Sequence, residues 1–176
     1  RVRSGRRAAP RPGAARLAWR IPCEIGRRMG APGFDFEDVD AVFDEFAALT
    51  AGVNAIASAG NPGPLAAFGE RTFVIACGKE DETTRLPVAA AAHWEKGRVV
   101  VLGHGGMLGA DALKHAGTAK FVANAARWLA GAPASRIGVV NNDAMVDALN
   151  AAGFVAVKLT GKWHTALGDV AAVVAD

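Results

Sequence analysis

Apolar residues recur at three- and four-residue steps over residues 34–53, and this period predicts an amphipathic helix. Phe36, Phe46 and Leu49 fall on its apolar face, and acidic residues crowd its first turns, where the helix dipole favours them. Gly52 is a suitable stop. The first regular element of the folded part is therefore expected to be a helix that buries one side.

Turn and strand signals alternate along the middle of the chain. Residues 61–64, Asn-Pro-Gly-Pro, have turn chemistry, and two short strands are expected between them and Gly78. The stretch LPVAAAAHWEKGRVVVLG predicts a hairpin of strands 87–93 and 98–103, with Gly97 supplying a positive φ in the loop. We therefore expect antiparallel pairing in this region.

A glycine-rich bend over residues 103–109 follows the hairpin and leads into a helical pattern over 110–130. The helix is expected to restart at Thr118 and to place Trp128 in the core. Gly131 ends it.

The pattern changes after this helix to apolar strands separated by helices or turns. Strands are predicted over 136–140, 154–159 and 170–176, with a helix over 143–153 between the first two. Such alternation is typical of a parallel, wound sheet covered on both faces. Because a wound sheet rarely ends after three strands, we expect the chain to be a fragment.

The elements together predict an α/β fold with one central sheet, antiparallel over 65–103 and parallel over 136–175. Three segments are expected: a disordered Arg-rich leader or upstream sequence over 1–33, an α/β unit with antiparallel hairpins over 34–132, and the start of a wound unit over 136–176. The predicted core residues are Phe46, Phe68, Phe73, Val100, Leu102, Phe121, Trp128, Val139, Leu149, Val157 and Val173.

The charge is unevenly distributed. The net charge is +3, but residues 1–28 hold nine Arg and one Glu (+8), so the remainder carries +3 − 8 = −5. A nucleic-acid-binding domain shows its basic residues on the fold itself, so a nucleic-acid function is not expected. The basic head is open to three interpretations: upstream sequence, a disordered tail or an organellar leader.

No run of eighteen uncharged apolar residues exists, so membrane insertion is not expected. Cys23 and Cys77 are too few for a disulfide framework or a cysteine zinc site. A cytoplasmic location is expected, with an organellar one as the alternative if the head is a leader.

The bend 103–109 is the first candidate for chemistry, since a strand, a glycine loop and a helix start can present backbone N–H groups to phosphate. The dinucleotide spacing would need a glycine where Leu108 stands, so the motif is incomplete. Nucleotide or small-ligand binding is one hypothesis, and glycines that let the backbone turn sharply are the other. The candidate ligand-binding residues are His104, Gly105, Gly106, Asn141 and Asn142.

Catalytic and metal-binding patterns are not found in the sequence. His104 follows a strand, where α/β folds place ligand-contacting groups, and His93 on the partner strand could lie nearby. A third metal ligand is not evident, because His115 is expected in a helix and His164 in the wound unit. No nucleophile elbow or H-E-x-x-H motif occurs, so no catalytic residue, metal or cofactor is predicted.

Three pieces in order carry a resemblance: PGPLAAFGE (62–70), VAAAAHWEKGRVVVLGHGGML (88–108) and FVANAARWL (121–129). This combination resembles the N-terminal region of the TRP-channel-associated factor family, which includes proteins that end in an enhancin-like zinc peptidase domain. The resemblance implies a class I glutamine-amidotransferase-like fold without its catalytic cysteine. The family has an acidic residue at the position of Gly105, so a role of that acid in the family is not carried over to this chain.

The resemblance implies a non-catalytic accessory or protein-interaction domain whose partner is another protein, such as a membrane channel, or a missing C-terminal domain. Peptidase activity is not carried over, because no zinc motif occurs in the chain. Two alternatives remain open: a nucleotide or small-ligand-binding domain that uses the bend, and part of an amidotransferase-like hydrolase.

Overall fold

The computed structural model describes residues 20–30, 39–68, 71–79, 84–132, 134–165 and 167–175. The chain divides into two compact units, residues 1–42 and residues 43–176.

The first unit contains helix α1, Arg20–Arg28. It lies within the segment predicted to be an Arg-rich leader or upstream sequence. Pro22 lies in its first turn, where a missing N–H costs no hydrogen bond, and the exposed Ile21 and Ile25 are one turn apart. Residues 1–19 and 31–33 of the predicted leader lie outside the described residues.

Ten further helices and strands follow in chain order within the described residues. They are α2 (Val39–Thr50), β1 (Thr72–Lys79), β2 (Arg85–Trp94), β3 (Gly97–Leu102), α3 (Ala110–Leu113), α4 (Ala116–Ala130), β4 (Arg136–Val140), α5 (Asp143–Ala151), β5 (Val155–Leu159) and β6 (Ala172–Val174). Short 3-10 turns occupy Gly105–Leu108 and Trp163–Thr165.

Strands β1, β2 and β3 form an antiparallel sheet in that order, which confirms the predicted hairpin. The hairpin turn is tighter than expected, because Trp94 pairs with Gly97 and only Glu95 and Lys96 lie between the strands. The prediction for Gly97 is wrong, since the residue with positive φ is Glu95, at +50°. A two-residue loop requires this conformation at its own positions.

Only one of the two strands predicted before Gly78 is formed, because residues 53–68 are irregular. Pro62 and Pro64 lack the N–H groups that a ladder needs. The segment is held by single backbone hydrogen bonds instead, from Gly63 N–H to the Gly103 carbonyl and from Leu65 N–H to the Pro87 carbonyl.

Strands β4, β5 and β6 form the predicted parallel sheet in the order β5-β4-β6. The expectation of one central sheet is wrong, since the antiparallel and parallel strands belong to two separate three-stranded sheets. Helix α4 contacts β3 of one sheet and β6 of the other.

One hydrophobic core serves both sheets. Phe121 and Trp128 of α4, Ala91 of β2 and Ile137 of β4 belong to the same buried cluster, so the predicted boundary at 132–136 separates two sheets that share a core. Of the predicted core residues, Phe121, Trp128, Val139 and Leu149 are buried. Phe46, Phe73, Val100, Leu102, Val157 and Val173 are half-buried.

The core prediction for Phe68 is wrong, because its side chain is 83% exposed. Phe68 ends the irregular segment and belongs to no strand, so no ladder turns its ring towards the interior. Its carbonyl accepts a hydrogen bond from the Thr72 hydroxyl at 2.8 Å.

Candidate functional site

The candidate site lies where the carboxyl ends of β3 and β4 meet. Asn142 connects the two ends: its Nδ2 donates to the carbonyl of Leu108 at 3.1 Å, while its Oδ1 accepts from the Met145 N–H at 3.0 Å. Asn142 is therefore the N-cap of α5, and the loop after β3 is tethered to the same side chain. This is the edge at which open α/β sheets bind ligands.

Two neighbours of Asn142 have other roles. Asn141 is exposed and has a φ of +55°, a conformation that asparagine tolerates better than most residues. Asp143 is the first helical residue of α5, and its carboxylate lies 2.8 Å from Lys158 Nζ in an exposed ion pair. Asn141 therefore allows the turn after β4, and Asp143 begins α5.

His104 shapes the loop that it begins. Its ring is exposed, and its Nδ1 accepts a hydrogen bond from the Gly106 N–H at 2.8 Å, which caps the 3-10 turn Gly105–Leu108. A neutral ring that accepts at Nδ1 carries its proton on Nε2. The side chain thus stabilises the loop through a hydrogen bond to its backbone.

The glycines of the bend are required for close approach of another segment. A Cβ on Gly103 would overlap the Gly63 carbonyl, and one on Gly106 would overlap the carbonyl of Ala59. Neither glycine has a positive φ, so the expected sharp turn is not what requires them. The irregular segment 53–68 can lie against the bend only because these side chains are missing.

Most backbone N–H groups of the bend are already used. Gly103 donates to Val88, Met107 to His104 and Gly109 to Gly106, in addition to the bond from Gly106 to the His104 ring. A phosphate cradle needs such donors to be free. Binding of a nucleotide at this loop stays a prediction that these hydrogen bonds do not favour.

A cavity of about 500 Å³ opens beside the loop. His104 and Gly105 lie at its rim, while Gly106, Asn141 and Asn142 do not line it. The structure therefore brings the five predicted residues to one edge but exposes only two of them to the cavity. The remaining lining residues are apolar and come from β3, α4, β4, α5, β6 and the turns beside them, among them Val100, Phe121, Met145, Leu149 and Val174.

His93 does not lie near His104. It pairs with Arg98 at the hairpin end of the sheet, whereas His104 follows the other end of β3. The prediction is wrong because an antiparallel hairpin places residues close to its turn opposite each other, far from the open end. His93 Nε2 instead lies 2.6 Å from the Glu45 carboxylate of α2.

The His93 side chain belongs to a polar and aromatic cluster around Trp128. The His93 and Trp128 rings meet edge to face at 5.4 Å between centroids, and the Arg98 guanidinium lies over the indole while donating to the Trp128 carbonyl. Sequence reasoning missed this cluster because Glu45, His93 and Trp128 are far apart in the chain. Within the described residues, no group of three metal-ligating side chains is found, and His115 and His164 are exposed.

One face of the antiparallel sheet carries exposed apolar residues that sequence reasoning also missed. Ala89, Ala91 and His93 point towards α2 and α4, so Trp94, Val99 and Val101 point to the opposite side. Trp94 is 74% exposed, Val99 43% and Val101 47%. We name these three residues the open face. The alternation of β3 could have indicated Val99 and Val101.

None of the helices in the described part of the chain is long and apolar enough to cross a membrane. No curated protein and no solved structure matches the chain. The model of a protein family, TCAF_N, described as "TRPM8, N-terminal domain", matches residues 35–162, which is more than half of the chain and includes both sheets except β6. The chain therefore belongs to the family of TRP-channel-associated factor N-terminal domains.

Proposed function

We propose that this chain is a non-catalytic protein-interaction domain that binds a TRP-type channel through its open face. The family description names TRPM8, which supports a channel as the partner. The observation that carries the proposal is the exposure of Trp94, Val99 and Val101 on one side of a sheet whose other side packs on the core.

The chemistry of the open face suits a protein partner. A large exposed aromatic side chain next to branched aliphatic ones is the composition of an interface centre, where tryptophan is enriched. Ala92 lies beside Val99 on the same side and is half-buried, whereas Ala90 beside Val101 is buried. Arg71 and Lys96 are exposed at the hairpin end and supply a basic rim.

The experiment compares binding of purified variants to the detergent-solubilised TRPM8 channel by biolayer interferometry. The test variant combines Trp94→Ala with Val101→Lys, and we expect it to lose at least about tenfold in affinity, since interface tryptophans commonly contribute 2 kcal/mol or more. Val155→Lys is the matched control, because Val155 is 46% exposed on β5 of the other sheet and receives the same charge.

Absence of binding by the wild-type chain would overturn the proposal, and so would an equal loss in the test and control variants. Circular dichroism of each variant ensures that a loss of binding does not reflect unfolding.

We further propose that the fold is a variant of the class I glutamine-amidotransferase-like architecture, acting on the cytoplasmic side of the membrane beside an enhancin-like domain in longer proteins. The parallel order β5-β4-β6 next to an antiparallel hairpin supports this relationship. The hydrolase alternative requires a nucleophile, and Cys77 is a free, exposed residue of β1 that pairs with Pro87, at the end of the sheet where Gly103 bonds to Val88. A glutaminase assay of the purified chain, with no turnover expected, tests this point.

A further inference from the structure

The cavity of about 500 Å³ is bounded by two sheet edges. β3 ends the antiparallel sheet and β6 ends the parallel sheet, and residues of both strands line the cavity together with the apolar side of α4. We name this space the edge groove: its sides are β3 and β6, and α4 lies beneath it, with Leu129 half-buried and Phe121, Val122 and Ala125 buried.

The backbone of β3 presents hydrogen-bonding groups to the edge groove. Gly103 N–H donates to Val88, so alternate residues counted back from Gly103 face β2. Arg98, Val100 and Leu102 therefore direct their N–H and carbonyl groups away from β2. Among the described residues, β3 has β2 as its only paired strand, so this row of groups is free to pair with another strand.

The two edges run in the same direction. Lys96 and Arg98 at the start of β3 border the start of β6, and the later residues of both strands line the same cavity. A single strand between β3 and β6 could therefore pair with both and convert two sheets into one. Because neighbouring strands in a sheet lie about 4.8 Å apart, an added strand that pairs with both edges requires them to be about 10 Å apart.

The groove also has a charge pattern. Its hairpin end is bordered by Lys96 and Arg98 on one side and by Ala171, Ala172 and Val173 on the other. None of the described residues that line this end is acidic. The rest of the groove is apolar apart from His104 at the far rim. An occupant with a carboxylate at the hairpin end and apolar residues along its length complements this pattern.

We propose that the edge groove binds one extended segment of a protein partner as an added strand, with apolar side chains on α4 and an acidic side chain facing Lys96 and Arg98. The inference rests on the proposed function and deepens it by naming a second contact of the interaction domain, which shares only Val101 with the open face. Added strands gain affinity from main-chain hydrogen bonds and specificity from alternate side chains, both of which this groove offers.

The test uses capped hexapeptides of alternating Val and Thr, labelled with a fluorophore, that carry Asp at the first or at the last position. Fluorescence anisotropy with the full chain is expected to show saturable binding of at least one Asp peptide and a weaker signal for the matching Lys peptide. Val100→Pro removes one outward N–H without touching the ladder to β2, and we expect about tenfold weaker binding or more.

Two further variants keep the result interpretable. Lys158→Pro removes an outward N–H from β5, at the opposite edge of the parallel sheet, and is expected to bind as wild type does. Lys96→Glu changes an exposed side chain, so the fold is retained, and the preference is expected to shift from the Asp peptide towards the Lys peptide.

Several results would overturn the proposal. They are no binding of either Asp peptide, equal binding by Val100→Pro and wild type, unchanged charge preference in Lys96→Glu, and self-association that Val100→Pro abolishes in the absence of peptide. Channel binding that depends on Trp94 and Val101 but not on Val100 would leave the proposed function intact while removing this inference. Peptide binding that depends on Val100, without channel binding, would support this inference and overturn the proposed function.

Discussion

The antiparallel and parallel sheets pack on the same core with different kinds of side chain. The parallel sheet is formed by short apolar strands whose central member, β4, is buried at four of its five residues. The antiparallel sheet has a central strand of four consecutive alanines, Ala89–Ala92, with one side against α2 and α4 and the open face on the other. The first depends on large side chains, whereas the second depends on close backbone approach.

Close approach has a sequence requirement of its own. Gly103, Gly106 and Gly117 each face a backbone carbonyl of the segment 53–68, at positions where a Cβ would overlap it. In the parallel half, a Cβ on Gly138 would overlap the Leu159 side chain instead, so added atoms meet fixed backbone in the antiparallel half and a side chain in the parallel half. Four predictions test this comparison, in order of decreasing effect.

Phe121→Ala is expected to have the largest effect, because Phe121 is 1% exposed and lies in the core that both sheets share. Truncation of a buried phenylalanine costs about 3–5 kcal/mol. Urea denaturation measured by circular dichroism should show a single transition at lower midpoint, with Val155→Ala as an exposed control. A change below about 1 kcal/mol, or loss of one sheet without the other, would contradict a shared core.

Gly106→Ala is expected to destabilise the antiparallel half by about 1–3 kcal/mol, because the new methyl group would overlap the Ala59 carbonyl. Gly109→Ala is the matched control, since its Cβ would meet its nearest neighbour at an ordinary 3.4 Å. Hydrogen exchange should accelerate in residues 53–68 of the first variant and stay unchanged in the second. Equal behaviour of the two variants would show that close approach is not the reason for Gly106.

Asn142→Ala removes a helix cap and the tether between the two halves, and we expect a loss of about 1–2 kcal/mol. Asn142→Asp separates the two contributions, because a carboxylate still accepts from Met145 but cannot donate to the Leu108 carbonyl. Thermal unfolding should place the Asp variant between wild type and the Ala variant. If the Asp variant is as stable as wild type, the tether to Leu108 contributes nothing.

The smallest effect concerns Asp111 and Lys114 of the connection between the sheets. A hydrogen bond from Lys114, 2.7 Å long, and the lysine's charge hold the pKa of Asp111 below its ordinary value of 3.8. The folded pKa is depressed, so the stabilisation is present above the unfolded pKa and is lost as the pH falls through the folded pKa. NMR titration of Asp111 should show its pKa rise in Lys114→Ala, and an unchanged pKa would contradict the pairing.

The sequence was most informative where side chains follow a regular period. β4, α5 and β5 were predicted within a residue or two at nearly every boundary, and their parallel order is confirmed, because apolar runs bounded by caps and glycines determine such elements locally. Phe68 was misplaced and a strand was predicted where residues 53–68 are irregular, since no local period indicates which distant backbone a segment will contact.

The candidate site was predictable in part. Position after a strand was enough to bring His104 and Asn142 to one edge of the molecule. The roles of the glycines depend on Ala59 and Gly63, and the His93 cluster depends on Glu45, so both required the tertiary structure. The edge groove likewise follows from the separation of the two sheets, which the expectation of one central sheet had concealed.

Helix α4 contacts both β3 and β6, and this shared support has a dynamic consequence. Slow opening of either sheet must disturb the same helix, so the two halves should exchange their most protected amides at a common rate set by global unfolding. If a ligand made one sheet more rigid, the entropic cost of ordering the other sheet would then be lower.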